Sequence, residues 1–221
     1  MMTLQQLLNF PAAPEVALLF MTCVVLLLEL FVKQKNSLLT YTASQLSLLI
    51  SLVLVSHLYR IPAQLLFHQH YIWDLVAYFI KLSILFFSIF AFVYARDALK
   101  HLGINSGEYY LLGLFSILGM LVLTSANSLL TLYLGLELLS FPLYALVALQ
   151  RKPSDAAEAA MKYFILGALA SGLFLYGLSL LYGATHSLII PTINQVLLQG
   201  GQSPILLTTG LVFIVAGIAF K

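Results

Sequence analysis

Charge is scarce in this chain. Only 8% of its 221 residues are Asp, Glu, Lys or Arg, against about 25% in an ordinary soluble domain. Ten basic and eight acidic side chains cannot supply the polar surface that a water-soluble fold of this size exposes. The net charge is +2, so there is no basic face for a phosphate backbone and no nucleic-acid partner is expected. The single cysteine, Cys23, excludes a disulfide framework. There is no glycine-rich phosphate loop, no CxxC and no nucleophile motif. The chain is therefore expected to bind no cofactor and to carry no redox or hydrolytic chemistry of its own. His68-Gln69-His70 is too sparse for a zinc site, which wants four ligands in its structural form. The first dozen residues, MMTLQQLLNFPA, lack the basic start of a cleavable signal peptide.

Apolar residues, by contrast, make up 62% of the chain, which excludes intrinsic disorder. A helix needs about 20 mainly apolar residues to cross the hydrocarbon. Seven stretches qualify, at about 14–33, 38–59, 74–96, 109–126, 127–149, 155–183 and 204–221. Such runs are much longer than barrel strands. The expected fold is all-α: one polytopic transmembrane helix bundle over residues 1–221, with no room for a soluble domain. Breakers fit these limits. Pro11 and Pro14 precede the first span, Pro62 lies in the second loop and Pro153 precedes the sixth span. Asn194, Gly200, Gly201 and Pro204 mark the approach to the seventh. Loop cations set the orientation. Lys33, Lys35, Arg96, Lys100, Arg151 and Lys152 share one side, with His101 in a polar loop there, and Arg60 stands alone on the other. The first side is expected to be cytoplasmic, which puts the N-terminus on the outer, periplasmic face.

Against this background the charges inside the spans stand out, because each costs about 2.5–3.5 kcal/mol at the bilayer centre on insertion scales. Glu137 lies ten residues from one end of its span and twelve from the other. That is about 15–18 Å from either surface, too deep for a short acid to snorkel. Pro142 follows five positions on and cannot donate to the carbonyl of Leu138, so a kink is expected beside the acid. Lys162 is seven residues into the sixth span, with Glu158 four residues before it. It can snorkel that distance and pair with Glu158, but on an antiparallel neighbour Glu137 lies only about 8 Å deeper, so a Glu137–Lys162 couple is geometrically allowed. Lys221 ends the sequence after LVFIVAGIAF with no polar collar; it reads either as a terminal anchor or as a point beyond which the protein continues. Lys81, seven residues into the third span with Asp74 on the same helical face, is expected to snorkel to the outer surface. Glu29 precedes Lys33 by four and reads mainly as an interfacial ion pair. Lys81 and Glu29 rank behind Glu137, Lys162 and Lys221 as proton-handling candidates. Ser140, Tyr144, Ser171 and Tyr163 lie near the path and read first as packing.

Two stretches carry a specific resemblance: LTLYLGLELLSFPLYALVAL at 130–149 and DAAEAAMKYFILGALASGLFLYGLSLLYG at 155–183. They resemble the antiporter-like, proton-translocating subunit N of bacterial NADH–quinone oxidoreductase, respiratory complex I, and the run Leu-Glu-Leu-Leu-Ser-x-Pro-Leu-Tyr-Ala-Leu favours subunit N over its L and M relatives. The resemblance implies that Glu137 is the acid of helix 5, Lys162 the lysine that pairs with it, and Lys221 the lysine of helix 7 that leads towards a central hydrophilic axis. It implies two inverted five-helix repeats in the family, with the chain resembling the N-terminal half and the second inverted repeat expected to be absent from residues 1–221. It also implies that NADH, flavin, iron–sulfur clusters and quinone are handled by partner subunits. The partners of this chain would be other membrane subunits of complex I, the lipid bilayer, protons and internal water, and its place a bacterial inner membrane, which it crosses several times. A cation/proton antiporter subunit and a purely structural membrane subunit are the alternatives.

Overall fold

A computed structural model of the chain describes residues 9–31, 37–102, 106–149, 154–198 and 204–221. Lys33, Lys35, Arg151, Lys152, Pro153, Gly200 and Gly201, on which part of the orientation and boundary reading rests, lie outside the described residues. Eight α-helices account for most of the rest: α1 Ala13–Phe31, α2 Ser37–His57, α3 Leu75–Leu102, α4 Ser106–Thr124, α5 Leu129–Val147, α6 Ser154–Thr185, α7 Ile190–Leu198 and α8 Pro204–Phe220. Six of them, α1 to α6, are long and apolar enough to cross a membrane. The last, α8, has 17 residues, about 25 Å. The chain is a polytopic transmembrane helix bundle, as its composition requires.

Some boundaries differ from the hydropathy reading. Helix α3 runs on to Leu102, so Arg96, Lys100 and His101 belong to its last turns rather than to a loop; cations there complement the carbonyl end of the helix dipole. Asn194 lies inside a short helix, α7, not in a loop. Between α2 and α3 the chain forms a 3-10 turn, Leu58–Arg60, and a hairpin of β1, Gln64–Leu66, and β2, Tyr71–Trp73, paired antiparallel. Strands of three residues are too short to show a period-2 pattern. The hairpin holds because Tyr71 and Trp73 alternate onto the bundle and are buried with Ala12 and Leu58. Its connection turns through Phe67, His68 and Gln69, all at positive φ.

Packing divides into two parts. Helices α1 to α4 enclose one apolar cluster, including Leu18, Leu48, Leu85, Tyr110 and Leu114. Helices α6 and α8 enclose a second with Phe174, Leu178, Leu207 and Ile214, covered from α5 by Leu132, Tyr133 and Leu136. Close backbone approach joins the pieces. A Cβ on Gly119 of α4 would meet the backbone of Leu138 at 2.8 Å, and one on Gly135 of α5 would meet Leu123 at 3.0 Å. On α8, a Cβ on Gly217 would lie 2.9 Å from the carbonyl oxygen of Ala170. Small residues at such crossings let helices meet where lipid offers no hydrophobic drive. Three hydroxyls of α2 are satisfied within the helix: Ser44, Ser47 and Ser51 each donate to the carbonyl four residues back.

Candidate functional site

Helix α5 starts at an N-cap, Ser128, whose hydroxyl accepts from the backbone N–H of Thr131. The helix runs through Pro142. Glu137, Ser140 and Tyr144 are buried along it, spaced three and four apart and so on one face. Two elements converge on Glu137. Ser171 of α6 donates its hydroxyl proton to Glu137 Oε1. Lys221, just past α8, makes an ion pair with the same oxygen and also donates to Ser171 Oγ at 3.1 Å. The three groups close a triangle. The ion pair is well shielded, with side chains 12% and 9% exposed for lysine and acid.

The sequence of α8 explains how the lysine arrives. Gly210, Ile214 and Gly217 are its buried positions along with Leu207, and Lys221 continues the same spacing of four, three and four, one stripe on a 3.6-residue helix. Gly217 sits against Ala170, the neighbour of Ser171. The missing side chain there lets α8 approach α6 one turn before the amine is needed.

Lys162 does not join this triangle. Its amine lies 2.6 Å from Glu158 Oε1, and both side chains are mostly exposed. The expected Glu137–Lys162 couple is therefore corrected to Glu137–Lys221. The reason is azimuth. Lys162 and Ser171 are nine residues apart, which at about 100° each is a half-turn modulo whole turns. The face of α6 that presents Ser171 to Glu137 thus turns Lys162 away. Depth along the axis alone had made the couple look possible.

Lys81 is also corrected. It is wholly buried, not extended to the outer surface. Its amine pairs with Glu15 of α1, donates to the Tyr71 hydroxyl at 2.8 Å, and lies 4.8 Å and 5.0 Å from the ring centroids of Tyr71 and Trp73. Tyr71 in turn reaches the Pro11 carbonyl at 3.0 Å. Burial first, and the Glu15 carboxylate next, push the Tyr71 phenol up, which keeps it a protonated donor. Asp74 instead caps α3, accepting from the Ala77 N–H at 2.7 Å. Glu29 accepts from the Thr40 hydroxyl, and its carboxylate lies where a Cβ on Gly107 would be, at the start of α4; an anion suits that helix end. Its expected partner, Lys33, is outside the described residues. Among the described residues, no group of three His, Cys, Asp or Glu side chains is gathered to hold a metal.

Glu15 was not singled out in the sequence. Placed after Pro14 in the first turn of α1, it looks like an ordinary acid at a helix N-terminus.

Residues 126–221 match the family described as NADH:quinone oxidoreductase/Mrp antiporter, TM. Over 96% of its length the chain is 44% identical to NADH-quinone oxidoreductase subunit N of Nitrosomonas europaea, covering 44% of that protein. With the protein of the same name from Halorhodospira halophila it shares 47% identity over 95% of the chain and 43% of the relative. The chain thus spans a little under half the length of these relatives, a coverage that fits a likeness to an N-terminal half. Among solved structures, a chain of the Thermus thermophilus respiratory complex I with bound aureothin superposes with a TM-score of 0.73 at 30% identity, over 93% of this chain and 43% of that one. A chain of the membrane-bound sulfane sulfur reductase, an archaeal respiratory membrane complex, gives a TM-score of 0.77 at 24% identity, over 95% and 44%, and shares the fold. The likeness to subunit N runs over 95–96% of the chain.

Proposed function

We propose that this chain, as a relative of complex I subunit N, carries a proton-handling half-unit of a membrane subunit, in which Glu137, Ser171 and Lys221 exchange protons under the control of their separation. The Glu137–Lys221 ion pair, sealed by Ser171 between α5, α6 and α8, carries this reading. Two unit charges about 3 Å apart attract by about 5 kcal/mol at an effective dielectric constant near 20. While they touch, both stay charged. When a conformational or hydration change parts them, the neutral forms win, because an unpaired charge is costly in the interior. The acid then takes up a proton and the amine gives one up. Protonation therefore belongs to the pair, not to either residue. Lys221 hands its proton towards the membrane interior, and Glu137 is reloaded along the α5 face that holds Ser140 and Tyr144.

Moving one charge against 100 mV costs about 2.3 kcal/mol. In this reading the drive comes from NADH oxidation and quinone reduction in partner subunits, which hold the flavin and iron–sulfur clusters. The chain acts as a non-redox translocating part of that enzyme, in a bacterial inner membrane with its N-terminus on the periplasmic side. The likeness to a family that also covers Mrp antiporters favours a second reading, exchange of a cation for protons through the same pair. Lys162 stays outside the mechanism, held by Glu158 at the helix surface.

The test is Glu137→Gln in the full-length subunit of the assembled enzyme, with protons translocated per NADH as the readout. A marked fall at normal assembly is expected. Undiminished pumping overturns the role of Glu137, and proton flux that requires an added cation would favour the antiporter.

A further inference from the structure

We infer that Glu15 and Lys81 form a clamp that positions Glu137 from a distance, through the hairpin and the α4–α5 turn; its bearing on pumping rests on the reading of Glu137 above. The clamp begins with a pair of charges almost entirely removed from solvent. Glu15 belongs to the start of α1 and Lys81 to α3, and the Tyr71 hydroxyl of β2 sits between Lys81 and the Pro11 carbonyl. One strand is thereby bolted to two helices. Buried ion pairs are a poor source of net stability. Their attested value is in fixing one register among alternatives, and here the register fixed is that of the hairpin.

The hairpin passes this constraint on through backbone bonds. The Ile72 N–H donates to the Ser125 carbonyl at 2.9 Å, and the Asn127 N–H donates to the His70 carbonyl at 3.1 Å. The Asn127 side-chain amide donates to the Gln69 carbonyl at 2.7 Å. His70 Nδ1 lies 2.8 Å from Ser128 Oγ, the group that caps α5. On its other flank the same turn is held by the α6–α7 loop: Leu129 N–H to the Leu188 carbonyl at 2.9 Å, and Ile190 N–H to the Asn127 carbonyl at 3.1 Å. The start of α5 is therefore gripped from both sides, and Glu137 lies nine residues along a rigid helix from its cap, about 14 Å. Lys81 and Glu15 are positioning residues in this account. Neither touches the Glu137 triangle.

The experiment uses the full-length subunit in the assembled complex and two readouts: backbone amide exchange by mass spectrometry, and protons moved per NADH. Lys81→Met is expected to speed exchange across 125–132 at least tenfold, leave 112–120 unchanged, and lower the proton yield. The charge-swapped pair, Glu15→Lys with Lys81→Glu, is expected to restore both. Should Lys81→Met fail to assemble, Tyr71→Phe, which removes the bridging hydroxyl without stranding a charge, should speed exchange in the same segment at least threefold. Unchanged exchange over 125–132 overturns the clamp, even where Glu137→Gln abolishes pumping. Faster exchange with an undiminished proton yield overturns the positioning of Glu137.

Discussion

Replacing Lys221 by Met removes the amine while keeping an unbranched side chain of similar bulk. Glu137 is then left with the Ser171 hydroxyl in a site where the acid's side chain is 9% exposed. Removing one partner of a buried pair costs about 3–5 kcal/mol, because the remaining charge is uncompensated. The variant is therefore expected to favour the neutral carboxylic acid over a stranded carboxylate. Infrared difference spectra of the assembled enzyme, variant against wild type, should show an added carboxylic acid C=O band that moves in heavy water. Adding Glu137→Gln to the variant should erase it. Protons per NADH should fall in the same preparation. If no band appears and pumping matches wild type, Lys221 does not control the charge on Glu137 and the reasoning fails.

Other substitutions separate the parts of the site. Ser171→Ala deletes a hydrogen bond to a charged group, worth about 1.5–3 kcal/mol, and should slow proton transfer without abolishing assembly, as measured by proton uptake rates in vesicles. Gly217→Val places atoms 2.9 Å or less from the α6 backbone at Ala170; overpacking of this kind costs about 1–3 kcal/mol and should lower both the thermal stability of the complex and its proton yield. Lys162→Met breaks a solvent-accessible pair with Glu158, worth about 0–1 kcal/mol. Its pumping should stay near wild type, and a large loss would return Lys162 to the Glu137 pathway.

Glu137 stood out in the sequence because an acid in the middle of a 23-residue, mainly apolar stretch, 127–149, is costly unless it is partnered. The stripe of Gly210, Ile214, Gly217 and Lys221 was equally open to a helical reading, although the missing polar collar and then the resemblance, not the stripe, drew attention to the lysine. The partner of Glu137 was misassigned because rise along a helix gives depth, while the nine-residue offset between Lys162 and Ser171 gives facing. Only the second decides contact. Glu15 stayed hidden because an acid after Pro14 satisfies every local rule for a helix start, and its true partner lies 66 residues away. Lys81 was seen as a charge but not as a buried one, since its cover comes from Tyr71 and Trp73 on strands of three residues, below the length at which alternation can be read.

The most direct test is a double-mutant cycle on protons translocated per NADH, using Glu137→Gln, Lys221→Met and the two combined in the full-length subunit. If the acid and the amine work as one unit, each single variant should lose as much as the pair does, and the losses should be far from additive. Independent, additive losses would contradict a shared proton and leave the ion pair as a structural contact.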